Sequence, residues 1–391
     1  MIKICDKKKC TGCYACFNTC KFDAITMQAD NEGFEYPVVD ELKCTNCGMC
    51  EKVCPCINIP DVLADKKKCY ACFNKNQIER EVSSSGGVFV LLAKWIIKND
   101  GVVCGASFDK DFSVKHTFAT NNQDIYSLVG SKYVQSRVEN CYSVIEEYLK
   151  QKITVLFVGT TCQVAGLKAF LKREYLNLYC VDFICLGVPS PRVWDDYLNA
   201  FFDKDTITLI RFKDKASGWN NFSLRIMQKD YEYLKNGHED MYFTGYYKQL
   251  YSRPSCSDCL FKKINRVSDI TLADCWGYSH ISPDLFDNKG LSSVIIHSEK
   301  GEELFDFIKE DMCIQESTMK DILEYNEGYA KSRKVSYERK LFWDDYEKLS
   351  SKDLFEKYCT NEKKETIFGK VLRKLKSYNI VKWLLDDRYR I

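Results

Sequence analysis

Residues 10–20 read Cys10-Thr11-Gly12-Cys13-Tyr14-Ala15-Cys16-Phe17-Asn18-Thr19-Cys20, and residues 44–55 repeat the spacing as Cys44-Thr45-Asn46-Cys47-Gly48-Met49-Cys50-Glu51-Lys52-Val53-Cys54-Pro55. In each run three thiols recur at every third position and a fourth follows four positions later, after three intervening residues. At that spacing three thiolates wrap one face of an iron–sulfur cubane while the fourth reaches across to a second one. The expected ligand sets are therefore interleaved: Cys10, Cys13, Cys16 and Cys54 on one 4Fe-4S cluster, and Cys44, Cys47, Cys50 and Cys20 on the other. Cys5 and Cys56 are left over, and Cys20 is followed by Lys21 where Cys54 is followed by Pro55, so the first repeat lacks the fixed-φ residue after its last thiol.

This is the arrangement of a two-cluster ferredoxin. Twelve of the chain's 22 cysteines fall within its first 72 residues. Structural zinc sites usually separate two cysteine pairs by a dozen or more residues, whereas here the third and fourth thiols follow the first pair at once. A disulfide framework fits a long chain poorly, and the opening Met1-Ile2-Lys3-Ile4-Cys5 carries no signal-peptide pattern, so a reducing cytoplasm is the expected compartment. Asp23–Met27 and Phe34–Val39 alternate as two short strands, completing a module over residues 1–58 whose interior is mostly cluster.

With 391 residues the chain has room for one large or two medium domains beyond that module. A formal net charge of +2 gives no single-sign field for nucleic acid, and no apolar run approaches the ~20 residues of a membrane span. Only four histidines occur, His116, His238, His280 and His297, which leaves little material for histidine-based metal or triad chemistry. Residues 57–68 read as a linker, with Pro60 and the run Lys66-Lys67-Lys68. The following Cys69-Tyr70-Ala71-Cys72 echoes the cluster motif, but without a third and fourth thiol it reads as strand packing.

Ser83-Ser84-Ser85-Gly86-Gly87 precedes a helix predicted over Val88–Lys98 and a strand over Val102–Phe108. Such a turn either presents backbone N–H groups and hydroxyls to an anion or is an ordinary helix cap with a loop. Further on, Ile153–Val158, Val164–Lys172 and Tyr179–Ile184 form a βαβ pattern with parallel buried strands. Cys162 follows the first strand and Cys185 the second, so both belong on the carboxyl edge of the sheet, where open α/β folds bind ligands. Cys256 and Cys259 sit on a later turn, and Ile270–Ala273 leads into Asp274-Cys275-Trp276-Gly277. From spacing alone, Cys162, Cys185, Cys256 and Cys259 are a third cluster, a zinc knot or metal-free thiols.

Taken together, Ser83–Phe89, Gly130-Ser131-Lys132-Tyr133-Val134-Gln135-Ser136, Gly159–Leu167, Cys185–Pro191, Cys256–Phe261 and Asp269–Gly277 resemble the beta-subunit family of coenzyme F-420 hydrogenases and dehydrogenases, in the branch with an N-terminal two-cluster ferredoxin domain. The resemblance implies an FAD-binding α/β domain passing electrons between iron–sulfur clusters and a flavin. It implies Ser84, Ser85, Gly86 and Gly87 as FAD-phosphate contacts. It implies Gly130, Ser131, Lys132, Tyr133, Gln135 and Ser136 as flavin neighbours together with Asp274 and Trp276, and Cys162, Cys185, Cys256 and Cys259 as ligands of a third 4Fe-4S cluster. The sequence departs from the family pattern at Thr161, where proline is usual, at Leu186, where histidine is common, and in the additional thiol of Cys275.

The expected architecture is mixed, α+β and α/β: a ferredoxin-like domain (1–58), a flavin-binding domain in two parts (67–150 and 151–315) and a helical tail (316–391). The expected activity is electron transfer between 4Fe-4S clusters and FAD, with hydride exchanged with a small molecule, either a deazaflavin like coenzyme F-420 or, as the resemblance suggests, a sugar intermediate of surface-polysaccharide biosynthesis. The alternative is a non-catalytic electron-transfer subunit of a hydrogenase- or dehydrogenase-like complex. No residue is assigned a catalytic role. Expected partners are an electron donor or acceptor protein, or the small-molecule substrate. The aromatic stretch Phe201–Tyr251 reads either as a pocket or partner surface or as an edge hairpin, and the basic amphipathic run Ile367–Leu385 as a helix that docks on the body or touches a partner or membrane.

Overall fold

Each cysteine run ends in a short helix entered through a left-handed residue: Tyr14 (φ 64°) precedes α1 (Ala15–Thr19), and Gly48 (φ 71°) precedes α2 (Met49–Lys52). Between them β1 (Ile25–Ala29) and β2 (Glu35–Val39) pair antiparallel, with Ile25 opposite Val39 and Ala29 opposite Glu35. Two such helices and a two-stranded ribbon bury little apolar surface of their own. The computed structural model describes residues 7–60 and 67–360; Cys5, residues 61–66 of the expected linker and the helix expected at Ile367–Leu385 lie outside the described residues.

The larger body is one eight-stranded mixed sheet. In chain order its parts begin with β3 (Lys68–Asn74), α3 (Gln77–Val82), α4 (Val88–Lys98), β4 (Val102–Phe108), β5 (Val114–Ala119), α5 (Asn122–Leu128) and α6 (Cys141–Lys150). The chain continues through β6 (Val155–Gly159), α7 (Thr161–Leu171), β7 (Leu178–Phe183) and α8 (Pro191–Phe201). It then leaves the sheet for an antiparallel three-stranded one, β8 (Ile207–Asp214), β9 (Ser223–Gln228) and β10 (Tyr231–Asn236), followed by α9 (Met241–Tyr247). It returns as β11 (Ile270–Asp274), α10 (Tyr278–Ile281), β12 (Ser292–Ile296), α11 (Glu299–Asp306) and β13 (Met312–Ser317), and α12 (Met319–Tyr325), α13 (Glu338–Tyr346) and α14 (Ser351–Tyr358) close the described chain.

The strand order is β13-β3-β12-β11-β7-β6-β4-β5. Its middle, β11-β7-β6-β4, is parallel, and antiparallel strands flank it on both sides. The buried runs of β6 and β7 fit this position, since strands covered on both faces need no polar alternation. The Phe201–Tyr251 aromatics serve as a core: Phe212, Tyr242 and Phe243 pack with Trp194 of α8 between α8, α9, the small sheet and α14. Cys69 and Cys72 are both buried on β3, but residues three apart on a strand face opposite ways, and the two thiols enter different cores.

The cysteine module is packed into the body rather than tethered to it. Cys13, Tyr14, Ala15 and Val53 share a core with Tyr142 of α6 and Val164, Ala165 and Leu167 of α7. The β1–β2 turn docks on α8 and α13: Ser190 donates to the Glu32 carbonyl, Arg192 to the Asn31 carbonyl (2.7 Å), and Arg339 forms a two-pronged ion pair with Glu32. At the turn, Gly33 (φ +79°) leaves no space for a side chain, because a Cβ there would lie 2.4 Å from Cβ of Arg192.

Candidate iron–sulfur and flavin sites

The three cysteine sets occupy distinct places. Cys20, Cys44, Cys47 and Cys50 wall a pocket of about 360 Å³ with Phe22, Ala24, Ile25, Val39 and Met49. This set faces outward: Cys47 is exposed, and so are Phe22 and Leu42 nearby in the sequence of the module. Cys10, Cys13, Cys16 and Cys54 form the inward set. Burial, and then the neighbouring thiols Cys10 and Cys54, push Cys13 up to about 12 and Cys16 well above its ordinary range. Cys54 is held down at about 6 by the hydrogen bond it receives from Cys56, whose own thiol is correspondingly raised. The leftover Cys56 is thus a donor to a neighbouring sulfur.

The third set comes from separate segments brought to the carboxyl edge of the parallel strands. Cys162 lies in the first turn of α7 after β6, Cys185 two residues beyond β7, and Cys256 and Cys259 in and just after the short 3₁₀ helix Pro254–Asp258. All four line one cavity of about 580 Å³, counted to its open mouth, with Thr11, Gln135, Lys262 and Arg266. Thr160 Oγ1 is 3.1 Å from Cys162 Sγ, and the Gly187 N–H donates to Cys185 Sγ at 3.4 Å. Burial raises the Cys162 and Cys185 thiols and takes Cys256 up to about 12, with the other thiols adding to each. Burial thus disfavours the thiolate forms, and holding them deprotonated there would take a cationic group among the sulfurs. The sulfurs wall a space, and among the described residues no three His, Cys, Asp or Glu side chains are grouped as a single ion requires.

Helix α7 explains how the cavity is framed. Thr160 and Gln163 form a reciprocal capping box that fixes its first turn. At the unusual Thr161, the hydroxyl accepts from Arg266, a buried arginine that also pairs with Asp182 of β7 (3.4 Å) and donates to the Tyr329 carbonyl (2.7 Å). Arg266 thereby ties the two strand ends that carry Cys162 and Cys185. At the other unusual position, Leu186 packs against Gly328, where a Cβ would lie 2.1 Å from Leu186 Cδ2.

Of the segments expected around a flavin, the Ser/Gly turn and the 130–136 loop meet to form one track. The Ser131 N–H donates to Ser84 Oγ at 2.7 Å, joining the Ser/Gly turn to the 130–136 loop. Gly87 (φ +87°) opens α4 without a side-chain cap but is buried, with a Cβ there 3.2 Å from Asn74 Cβ and 3.3 Å from Arg80 Cα, whereas Gly130 (φ +87°) has nothing within 4 Å of where a Cβ would stand. Gly86 is different: its N–H donates to Ser292 Oγ (2.9 Å), its carbonyl accepts from Asn74, and Ser85 Oγ donates to the Leu291 carbonyl. Lys132 donates to three carbonyls at the end of α5, and Tyr133 packs on Phe212, Phe243 and Tyr246. Gln135 and Ser136 end the track at the third cysteine set, where Gln135 donates to the Thr11 carbonyl and Ser136 accepts from Gln163. Asp274 pairs with the buried Lys213, and Trp276 stacks on Trp219 at 4.9 Å. Cys275 is buried in that same small core.

Several contributors escaped the sequence reading. Arg80, bidentate to Asp287, and Lys215, donating to the Arg80 and Lys289 carbonyls, brace the Ser/Gly turn from below. Gly166 and Arg253 join the cysteine sets to each other. The i, i+4 spacing of Cys162 and Gly166 on one helix face was the legible signal for the first; the second had none.

Interleaved thiol sets on a module fused to an open-edged α/β sheet define an iron–sulfur electron-transfer protein of the oxidoreductase type. Residues 9–58 match the model of the 4Fe-4S dicluster domain, and residues 153–322 match that of the C terminus of the coenzyme F420 hydrogenase/dehydrogenase beta subunit. Two segments of the chain are thus similar to known domains, the first to a 4Fe-4S dicluster and the second to the C-terminal part of such a beta subunit. Among solved structures, the F420-reducing [NiFe] hydrogenase complex from Methanosarcina barkeri, a xenon derivative, superposes with a TM-score of 0.45 at 16% identity, covering 76% of this chain and 90% of that one. No curated protein matches the sequence. Among the described residues no helix is long and apolar enough to cross a membrane.

Proposed function

We propose that this chain is an FAD-dependent iron–sulfur oxidoreductase in which electrons run between the two clusters of the dicluster domain, a third 4Fe-4S cluster held by Cys162, Cys185, Cys256 and Cys259, and a flavin lying along Ser84–Gly87, Gly130–Ser136, Asp274 and Trp276. The observation that carries this reading is the convergence of those four cysteines on one cavity whose wall also contains Thr11, next to Cys10. A flavin would supply conversion between hydride pairs and single electrons. The chain's own residues would order the path: Gln135 bridges Thr11 and the 130–136 loop, and Arg266 holds the strand ends that carry two thiols. The substrate class proposed is a hydride acceptor or donor such as a deazaflavin of the coenzyme F420 type or a sugar intermediate of polysaccharide biosynthesis.

The second reading, a relay subunit without its own substrate, is favoured by the family's name as a beta subunit. Anaerobic purification with iron, sulfide and flavin quantified on one sample tests the main proposal. About twelve irons and one FAD per chain are expected, from three four-iron clusters. About eight irons without flavin would remove the third cluster and the flavoenzyme together; a full complement with no hydride acceptor reduced would leave the relay reading.

A further inference from the structure

Arg253 belongs to the third cysteine set by backbone and to the first by side chain. Its carbonyl accepts from the Cys256 N–H (2.9 Å) and its N–H donates to the Val188 carbonyl (2.9 Å), which fixes the turn that presents Cys256. Its guanidinium points the other way, into the cysteine module, and is 1% exposed. There it donates to the Cys10 carbonyl (2.9 Å), the Glu35 carbonyl (2.9 Å) and Gln135 Oε1 (2.9 Å), and Nη2 lies 3.8 Å from Cys10 Sγ. Its faces rest on Tyr36 and Phe34, with ring centroids 4.4 and 5.4 Å away.

A guanidinium stays charged at any working pH, and burying that charge is costly unless an anion answers it. None of the four partners is a carboxylate. An acidic group that feels Arg253 is Glu35, but its carboxylate receives the Tyr14 hydroxyl and also faces Arg137 and Glu139. The anion left to answer the guanidinium is the thiolate of Cys10 and whatever that thiolate ligates. The close approach is built in: Gly12 has φ +65°, and a Cβ there would lie 2.8 Å from Nη1.

We infer that Arg253 is the counter-charge of the cluster ligated by Cys10, Cys13, Cys16 and Cys54, and that it raises that cluster's reduction potential selectively. The inference rests on the dicluster reading of Cys10. Reduction adds one electron to a centre that is already anionic, and a fixed positive charge and N–H donor beside one ligand stabilise the more negative form. No proton need follow the electron, because the guanidinium keeps its own. Arg253 therefore acts as a positioning residue: it sets the energy of one relay and holds Cys256 at the next.

The test is a potentiometric titration of the anaerobically purified full chain, followed by EPR, for wild type, Arg253→Gln and Arg253→Lys. In Arg253→Gln one 4Fe-4S midpoint is expected to move to more negative potential while the others stay, with iron content unchanged, and Arg253→Lys recovers part of the shift. Unmoved midpoints at full iron content overturn the inference. Should Arg253→Gln lose iron, wild-type protein carrying ¹⁵N-guanidino arginine decides: a ¹⁵N hyperfine coupling to one reduced cluster supports it, and its absence overturns it. Wild-type protein without clusters would instead sink the dicluster reading itself.

Discussion

Gly166 stands one turn after Cys162 on α7, at the point where the body meets the cysteine module. A Cβ there would lie 2.9 Å from Cys13 Cβ, 3.0 Å from Cys13 Sγ and 3.0 Å from the Tyr142 hydroxyl. Two effects oppose each other in Gly166→Ala. Helix propensity favours alanine by about 1 kcal/mol, whereas overpacking a dense interior costs about 1–3 kcal/mol. The clash prevails here because neither neighbour is free to yield. Tyr142 donates to the Gln163 carbonyl, and Cys13 is a proposed cluster ligand. We expect Gly166→Ala to lower the thermal midpoint and to lose iron from the inward cluster first. An iron assay on protein purified beside wild type checks this, and an unchanged iron content with a raised midpoint would contradict it. A glycine inside a helix was readable in the sequence as a close approach of some kind. What approaches it was not, because Cys13 is 153 positions away in the chain.

At the scale of elements, the module is held by contacts that involve neither cluster. The β1–β2 turn reaches α8 and α13 through Glu32, Asn31 and Gly33, and α1 lies against α7. A side chain on Gly33 would combine a left-handed backbone with a Cβ 2.4 Å from Arg192 Cβ, a cost of about 1–3 kcal/mol carried by one turn. Gly33→Val is therefore expected to loosen docking while each unit stays folded. Limited proteolysis should then cut between module and body sooner than in wild type, and calorimetry should resolve a separate, earlier transition for the module. A single unshifted transition would mean that the shared core of α1, α6 and α7 is sufficient by itself. The elements themselves were largely legible. The thiol spacing marked the module, the apolar runs marked β6, α7 and β7, and α4 and β4 lie at the expected Val88–Lys98 and Val102–Phe108. Strand period also separates Cys69 from Cys72, as two sheet faces require. The order of the sheet and the small aromatic sheet beside it were not legible, since both depend on pairings between strands far apart in the chain.

Across the whole molecule the two proposed clusters of the module are unequal. One set of thiols, with Cys13 and Cys16 buried, abuts α7 and Arg253; the other includes the exposed Cys47 on a module surface that also presents Phe22 and Leu42, 49% and 99% exposed. Electron transfer weakens steeply with distance, so position alone suggests an order: external donor, outward cluster, inward cluster, then the cavity of Cys162, Cys185, Cys256 and Cys259, which shares Thr11 with the module. Direction along that line depends on potentials, which hydrogen bonding and exposure tune over more than about a volt. The geometry nevertheless makes a directional test of the outward site. Cys47→Ala is expected to lower the iron content by about four per chain, the outward cluster alone. Reduction of the remaining centres by a small viologen should continue, because such a donor can reach any exposed edge, whereas reduction by a protein donor such as a ferredoxin should slow sharply. Stopped-flow bleaching of iron–sulfur absorbance with both donors separates the two rates. If the protein donor reduces Cys47→Ala as fast as wild type, electrons enter elsewhere, and the outward pocket would be a cluster site without a docking role.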